Sequence, residues 1–283
     1  MTMTNRTVAI IGGDSRQAYL ARLLAADGYA VSAHGLENVP QSVSLTEAAQ
    51  ADIVILPLPL SKETGLLHCR ERVELEDLWQ MLRPDQLVCG GQISGAVQAA
   101  AEAHGVTLVD YFQREELTVA NAVATAEGAI QLAMEQLPIT LWGCSCLILG
   151  CGRIAKLLAH RLRGLGADVT VAARKYGDRA WAEACGWRAL PTDRLHGHLG
   201  NVRAVFNTVP SLLLDGGLLA ELPPDCLCMD VASQPGIDFA AAERLGLVSV
   251  WARGLPGKVA PATAAAAIRD ALYHILEERG EPV

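Results

Sequence analysis

The chain has 283 residues, 51% of them apolar, which is enough for two domains with buried cores at the usual ~100–200 residues each. Its formal charge is -8 and its 23 Lys and Arg form no basic run, which argues against a nucleic-acid partner. No apolar stretch approaches the ~18 residues that span a membrane, and the first strand begins too early to leave room for a signal peptide, so a cytoplasmic protein with no membrane partner is expected. Only 5% of residues are aromatic, and Ala, Leu, Val and Gly dominate, which suits helices packed closely on a sheet.

In chain order, short apolar runs occur at 7–11, 29–33, 52–58, 86–90 and 106–110, with helical patterns at 16–27 and 94–104. Strands alternating with helices imply a parallel sheet. Residues 115–137 change period and read as one long helix ended by Pro138. A second alternating series follows at 145–149, 168–173, 203–208, 225–231 and 247–251, with helices at 153–165 and 178–186. A last helix is expected from Pro261 to about Glu278, since proline is favoured in a first helical turn. The fold class is therefore α/β: two doubly wound, Rossmann-like domains joined by a long helix, with an interdomain cleft. The expected division is 1–118 for an N-terminal substrate and catalytic domain, 119–139 for the connecting helix, and 140–283 for a nucleotide-binding domain carrying the C-terminal helix.

Four of the eight cysteines fall into two Cys-x-Cys pairs (Cys144/Cys146 and Cys226/Cys228), without the Cys-x-x-Cys spacing or histidine partners a metal would want. Ordinary buried thiols in a reducing compartment and no metal are expected, and His196 and His198 read as surface residues.

The second half contains C-L-I-L-G-C-G-R-I-A, a strand followed by Gly150-x-Gly152-x-x-Ala155 and then a helix opened by Arg153 and Ile154. Strand, glycine loop and helix N-terminus together are the context a dinucleotide pyrophosphate requires. The next strand ends in Ala172-Ala173 followed by Arg174-Lys175. An NAD site would end that strand on an acid for the ribose 2′-OH. A guanidinium suits a 2′-phosphate, so NADP is expected. F-N-T-V-P (206–210) should cover the ribose edge through Thr208, Val209 and Pro210, and Ser233 and Gln234 of D-V-A-S-Q-P-G should reach the nicotinamide or the substrate. The opening loop, G-G-D-S-R-Q (12–17), has adjacent glycines and an acid where a pyrophosphate would lie. It reads as a nucleotide fold without its nucleotide, projecting Asp14, Arg16 and Gln17 toward a substrate.

G-G-D-S-R-Q, I-L-P-L-P (55–59), T-A-E-G-A-I (125–130), the second glycine loop, F-N-T-V-P, D-V-A-S-Q-P-G and G-L-P-G-K-V-A-P-A-T-A (254–264) together resemble the A-subunit family of dipicolinate synthase. The resemblance spans nearly the whole chain. It implies a fold similar to 2-hydroxyacid dehydrogenases, alanine dehydrogenase and S-adenosylhomocysteine hydrolase. It also implies oxidation of dihydrodipicolinate to dipicolinate during sporulation and a place in the mother cell of a spore-forming bacterium; a homo-oligomer is expected as well. The partner it implies is the flavoprotein-like B subunit of dipicolinate synthase. A dicarboxylate substrate of that kind calls for cations, for which Arg16 and Lys258 are the candidates, with Gln17 beside them and Lys62 a weaker one. A proton acceptor is also needed, and Asp14, Glu127 and Lys258 stand open for it. Two other readings remain: a different NADP-dependent amino-acid or 2-hydroxyacid dehydrogenase, for which His274 lacks a visible carboxylate partner, and a module that senses NADP(H) without turnover.

Overall fold

The computed structural model describes residues 6–281, which divide into two compact units. One comprises the chain up to Asn121 together with the residues from Pro256 onward, and the other is Ala122–Leu255.

The first unit runs β1 (Thr7–Ile11), α1 (Ser15–Ala26), β2 (Ala30–His34), α2 (Leu45–Ala48), β3 (Ile53–Ile55), α3 (Leu75–Met81), β4 (Leu87–Gly90), α4 (Gly95–Ala103), β5 (Leu108–Asp110), a 3-10 turn (Tyr111–Gln113) and the start of α5 (Glu115–Gln136). Its sheet is parallel in the order β2-β1-β3-β4-β5, with Val8 opposite Val31 and Ile53. Both faces of a parallel sheet are covered, so its central strands β1, β3 and β4 are near-continuous apolar runs rather than alternating ones. Val8, Ile10, Ile53 and Ile55 face one core, and Ala9, Ile11 and Val54 face the other.

The second unit continues through β6 (Ser145–Leu149), α6 (Arg153–Gly164), β7 (Asp168–Ala172), α7 (Tyr176–Ala184), β8 (Arg188–Leu190), β9 (Ala204–Asn207), α8 (Gly216–Leu219), β10 (Leu227–Asp230), α9 (Phe239–Arg244) and β11 (Val248–Trp251). Its sheet is parallel in the order β11-β10-β9-β6-β7-β8, the order of a dinucleotide-binding domain. Within α10 (Leu255–Val259) the chain passes back to the first unit, which α11 (Pro261–Glu278) completes.

This return corrects the expected division, which left the C-terminal helix with the nucleotide-binding domain. Ala264, Ala265, Ile268, Ala271, Leu272, Ile275 and Leu276 form a buried stripe on α11, at helical spacing. That stripe joins Leu20, Ala21 and Leu24 of α1 in the core of the first sheet. Each fully buried Leu or Ile is worth roughly 1.5–3 kcal/mol, so α11 is a principal stabiliser of the first unit. The short elements α2, α3, α8, α9, α10 and β8 had no sequence-based expectation, being too brief to show a period. All eight cysteines are free thiols; Cys185 is exposed and Cys69 half-buried, whereas the other six are buried as expected. Burial pushes the Cys89 thiol up to about 12. His196 and His198 are exposed. No helix among the described residues is long and apolar enough to cross a membrane.

Charged residues clamp α11 to the start of α5. The Arg114 guanidinium grips Glu278 with two bonds of 2.9 and 2.8 Å, and it also bonds Glu116. Glu116 lies 3.2 Å from His274 Nδ1, the partner that histidine lacked in the sequence. Bonds from Arg114 hold the Glu116 carboxyl down at about 2, and Arg114 also lowers that of Glu278. Depressed carboxyl pKa values stabilise the fold above their ordinary value of 4.5, and the contribution disappears as the pH falls toward 2. Melting temperature should therefore fall between those limits more steeply in the unmodified chain than in Glu116→Gln. High salt should shrink the difference, because the pairs are exposed. Parallel slopes in the two proteins would refute the clamp.

Candidate functional site

In a parallel sheet of order β2-β1-β3-β4-β5, the strand order reverses between β1 and β3, and ligands bind beyond such a switch point. The loops after those strands meet there, but the G-G-D-S-R-Q loop is already filled by the chain itself. Gly12 N–H donates to His34 O at 2.9 Å, and Gly13 N–H donates to His68 O at 2.7 Å. Asp14 N–H donates to Gln17 Oε1 at 3.1 Å. A Cβ on Gly12 would stand 2.8 Å from His68 O. The N–H groups that would cradle a phosphate are thus committed internally.

Asp14 caps α1, accepting from Arg16 N–H at 3.0 Å. Its two carboxylate oxygens accept from Arg16 Nε at 2.9 Å and Nη2 at 2.7 Å, and Nη2 also donates to Leu58 O on the loop after β3. Arg16 is only 6% exposed. This lock corrects two expectations. Burial alone would raise the Asp14 carboxyl, but the bonds and charge of Arg16 outweigh it and hold it below its usual range. A carboxylate so stabilised is a poor proton acceptor near neutrality. Gln17 is fully buried, with its amide oxygen given to Asp14 N–H, so it shapes the loop and does not reach a substrate.

The L-P-G-K-V segment lies against this pair. Ser15 Oγ donates to Gly257 O at 3.0 Å. A Cβ on Gly257 would fall 2.9 Å from Arg16 Nε, so glycine is what allows α10 to approach. The exposed Lys258 follows Gly257 directly in the chain.

Sequence reasoning passed over His68, which belongs to no motif. The loop from Leu56 to Cys69 folds back on itself, with His68 N–H donating to Leu60 O at 2.8 Å. That places the half-buried His68 ring beside Lys62, whose Nζ is 2.6 Å from Nε2. Desolvation by burial and the charge of Lys62 lower the pKa of His68, against the opposing pull of Asp14.

In the second unit's loop Gly150 N–H donates to Ala172 O at 2.8 Å, as Gly12 does to His34 O, but the space at the next glycine is open. The strand order reverses there between β6 and β9. Gly150, at φ 101°, turns under Thr208, whose Oγ1 donates to Leu149 O at 2.8 Å. Gly152 starts α6 with no side-chain cap, and a Cβ built on it meets nothing within 4 Å. Space in front of first-turn N–H groups at a helix N-terminus fits a pyrophosphate. Two fully buried groups missed by sequence reasoning support the neighbouring loops. Asn207 Nδ2 donates to Asp230 Oδ2 at 3.0 Å and to Val209 O at 2.9 Å, and its Oδ1 accepts from Val209 N–H at 3.1 Å. Asp230 also accepts from Ala232 N–H at 2.9 Å and Gly236 N–H at 2.7 Å. This network fixes Thr208-Val209-Pro210 on one side and presents the exposed Ser233 and Gln234 on the other. Arg174 and Lys175 are exposed after β7, and Arg179 braces that turn through bonds to Ala173 O (3.0 Å) and Arg174 O (2.8 Å).

Glu127 is not part of this constellation. It pairs with Arg161 at 3.2 Å. Arg161 lies nine residues past Gly152, roughly 13 Å along α6 at ~1.5 Å per residue. Helical geometry thus takes Glu127 away from the loop end, and the expectation that it accepts a proton is set aside. A cavity of about 700 Å³ among Ser145, Thr170, Arg188 and Asn201 lies at the starting ends of the strands, opposite the glycine loop. Among the described residues, no group of three or more His, Cys, Asp or Glu is placed to hold a metal ion.

Residues 7–112 match the family described as the N-terminal domain of the dipicolinate synthase A subunit. The chain is 33% identical over 290 residues to the dipicolinate synthase A subunit of Bacillus subtilis (strain 168), covering 98% of this chain and 97% of that protein. It is similar to the crystal structure of the dipicolinate synthase A subunit from Bacillus halodurans, with 29% identity, a TM-score of 0.88 and coverage of 98% and 99% of the two chains. A transhydrogenase from Sinorhizobium meliloti, at 13% identity and a TM-score of 0.70 over 96% of this chain and 94% of that one, shares the fold alone.

Proposed function

The chain belongs to the A-subunit family of dipicolinate synthase, and from that premise we propose that it oxidises dihydrodipicolinate to dipicolinate with NADP. The observation that carries this reading is the difference between the two loops at the glycine before the helix: Gly13 is bonded to His68 O and covered by Gln17, whereas the space at Gly152 is open at a helix N-terminus. Gly150, Gly152, Arg153 and Ile154 would hold the pyrophosphate, and Thr208, Val209 and Pro210 would cover the ribose edge. Ser233 and Gln234 would orient the carboxamide. When bound, the nicotinamide supplies a hydride acceptor. Arg174 and Lys175 follow a strand that ends without an acid, which favours a 2′-phosphate. In the first unit, Lys258 and the Nη1 of Arg16 are the cations suited to two carboxylates, and aromatisation of the ring supplies the driving force. The same reading implies a cytoplasmic place in the mother cell, a homo-oligomer, and the B subunit of dipicolinate synthase for a partner.

The test mixes the purified chain with NADP⁺ and enzymatically generated dihydrodipicolinate, with and without the B subunit. Dipicolinate and NADPH should rise together in absorbance. Nucleotide binding without turnover in either mixture would leave only a sensing module, and turnover confined to amino or hydroxy acids would indicate a different dehydrogenase. Arg174→Ala should weaken NADPH binding by about 1.5–3 kcal/mol, the range for a hydrogen bond to a charged group, and leave NADH binding nearly unchanged. Equal losses for the two nucleotides would refute the assignment of NADP.

A further inference from the structure

We propose that His68 accepts the proton released in the oxidation, and that Lys62 is its gate, drawn away when a substrate carboxylate takes the ammonium. The proposal rests on the reading of the first unit as the dicarboxylate site.

The backbone of His68 is held from both sides: its N–H donates to Leu60 O at 2.8 Å, and its carbonyl accepts from Gly13 N–H at 2.7 Å. The ring is held as well. Nδ1 stands 3.3 Å from Pro59 O, a group that only accepts, so Nδ1 carries the hydrogen of the neutral imidazole. Nε2 is then a lone pair, and it receives a hydrogen bond from Lys62 Nζ at 2.6 Å. The charged groups around the ring are Lys62, Asp14 and Arg16. Asp14 is consumed by Arg16, so it neither takes the proton nor displaces Lys62.

His68 is thus a neutral base with its lone pair covered. Lys62 lies on a partly exposed loop, with its ammonium on a flexible four-carbon stem, and turns at little cost. A carboxylate arriving beside the Arg16 loop attracts that ammonium, uncovers Nε2 and cancels the positive charge that suppresses its basicity. The base becomes competent only when the dicarboxylate is present. The balance is complete: one ring C–H bond breaks with both electrons leaving as hydride to the nicotinamide. A ring proton passes to His68 Nε2, and the electron pair it leaves behind forms the new double bond of the pyridine.

The experiment uses the full chain with dipicolinate as the probe. Calorimetry in two buffers of different ionisation enthalpy should show proton uptake when the unmodified chain binds dipicolinate near pH 7. His68→Gln, which keeps a donor for Pro59 O, should still bind but without uptake. In Lys62→Met, NMR of histidine-labelled protein should show the His68 titration midpoint moved up in the absence of ligand. The acidic limb of the kcat/KM profile should move up with it, a response that a structural role for the pair would not produce. Uptake that persists in His68→Gln, or a midpoint and limb that stay in place in Lys62→Met, overturns the proposal. If His68→Gln does not fold, the Lys62→Met change decides the matter alone. No dipicolinate binding by the unmodified chain would overturn the substrate reading and this proposal with it, whereas binding with unaltered uptake in His68→Gln overturns only this one.

Discussion

Gly152→Val is expected to remove nucleotide binding while both units stay folded. The backbone at Gly152 has φ -80° and ψ -168°, which any residue adopts, and no atom lies within 4 Å of the added Cβ. The folded chain should lose only about 0.5–1 kcal/mol, because valine is a poorer helix cap than glycine. The branched side chain would instead occupy the space before the α6 N-terminus. A pyrophosphate pushed off that end loses charge-assisted bonds worth about 1.5–3 kcal/mol each, so NADPH affinity should fall at least ~100-fold. Fluorescence titration of NADPH beside a thermal melt reads both quantities. Affinity retained within about threefold, a change of under ~1 kcal/mol, would mean that the phosphates lie elsewhere. Gly150→Ala would not serve as the same test. Gly150 has positive φ, and a Cβ there would come 2.5 Å from Thr208 Oγ1, so strain and lost binding could not be told apart.

Arg16→Ala is expected to do the converse. It removes the two bonds to Asp14 and the bond to Leu58 O, leaving a partly buried carboxylate without its partner. Stability of the first unit should fall by about 1–3 kcal/mol. Dipicolinate affinity should fall by a further ~10–100-fold, the loss of a charge-assisted bond to one carboxylate. Arg16→Lys keeps the charge and loses the fork, so it should be intermediate in both respects. NADPH affinity should hold within about twofold in each variant, as expected for a residue with no shared partners at the second glycine loop. Calorimetry with dipicolinate and fluorescence with NADPH on the same preparation check the separation. A folded Arg16→Ala protein that no longer binds NADPH would show that the first glycine loop takes part in nucleotide binding.

Most of the architecture was legible because it is periodic. Continuous apolar runs marked β1 through β5 and β6 through β11, apart from the three-residue β8, since strands buried on both faces carry little else. The second glycine loop was legible because its chemistry is local: strand, glycines, helix start and the basic pair after the next strand all lie within about thirty residues. The filled first loop was half legible. Asp14 warned against a pyrophosphate, but the donors that bond to His34 O and His68 O are backbone groups whose partners lie far along the chain.

What depends on sequence alone in this protein is the sum of near-neighbour effects: where helices and strands form, that Pro261 opens the last helix, and that Gly150-x-Gly152 sits at a helix N-terminus. What only the tertiary structure decided is which partner each group takes. The apolar stripe on α11 states that the helix is buried, and it fits either sheet equally well as a pattern; packing against Leu20 and Leu24 of α1 assigned it to the first. Arg16 reads as a free cation until Asp14 and Leu58 O are seen to hold it. His68 and Lys62 are six residues apart in a loop without period, and only the return of that loop onto Leu60 O and Gly13 N–H brings imidazole and ammonium together. Hydrogen bonds and ion pairs are short-ranged and directional, so their assignment waits on the fold that brings distant residues within reach.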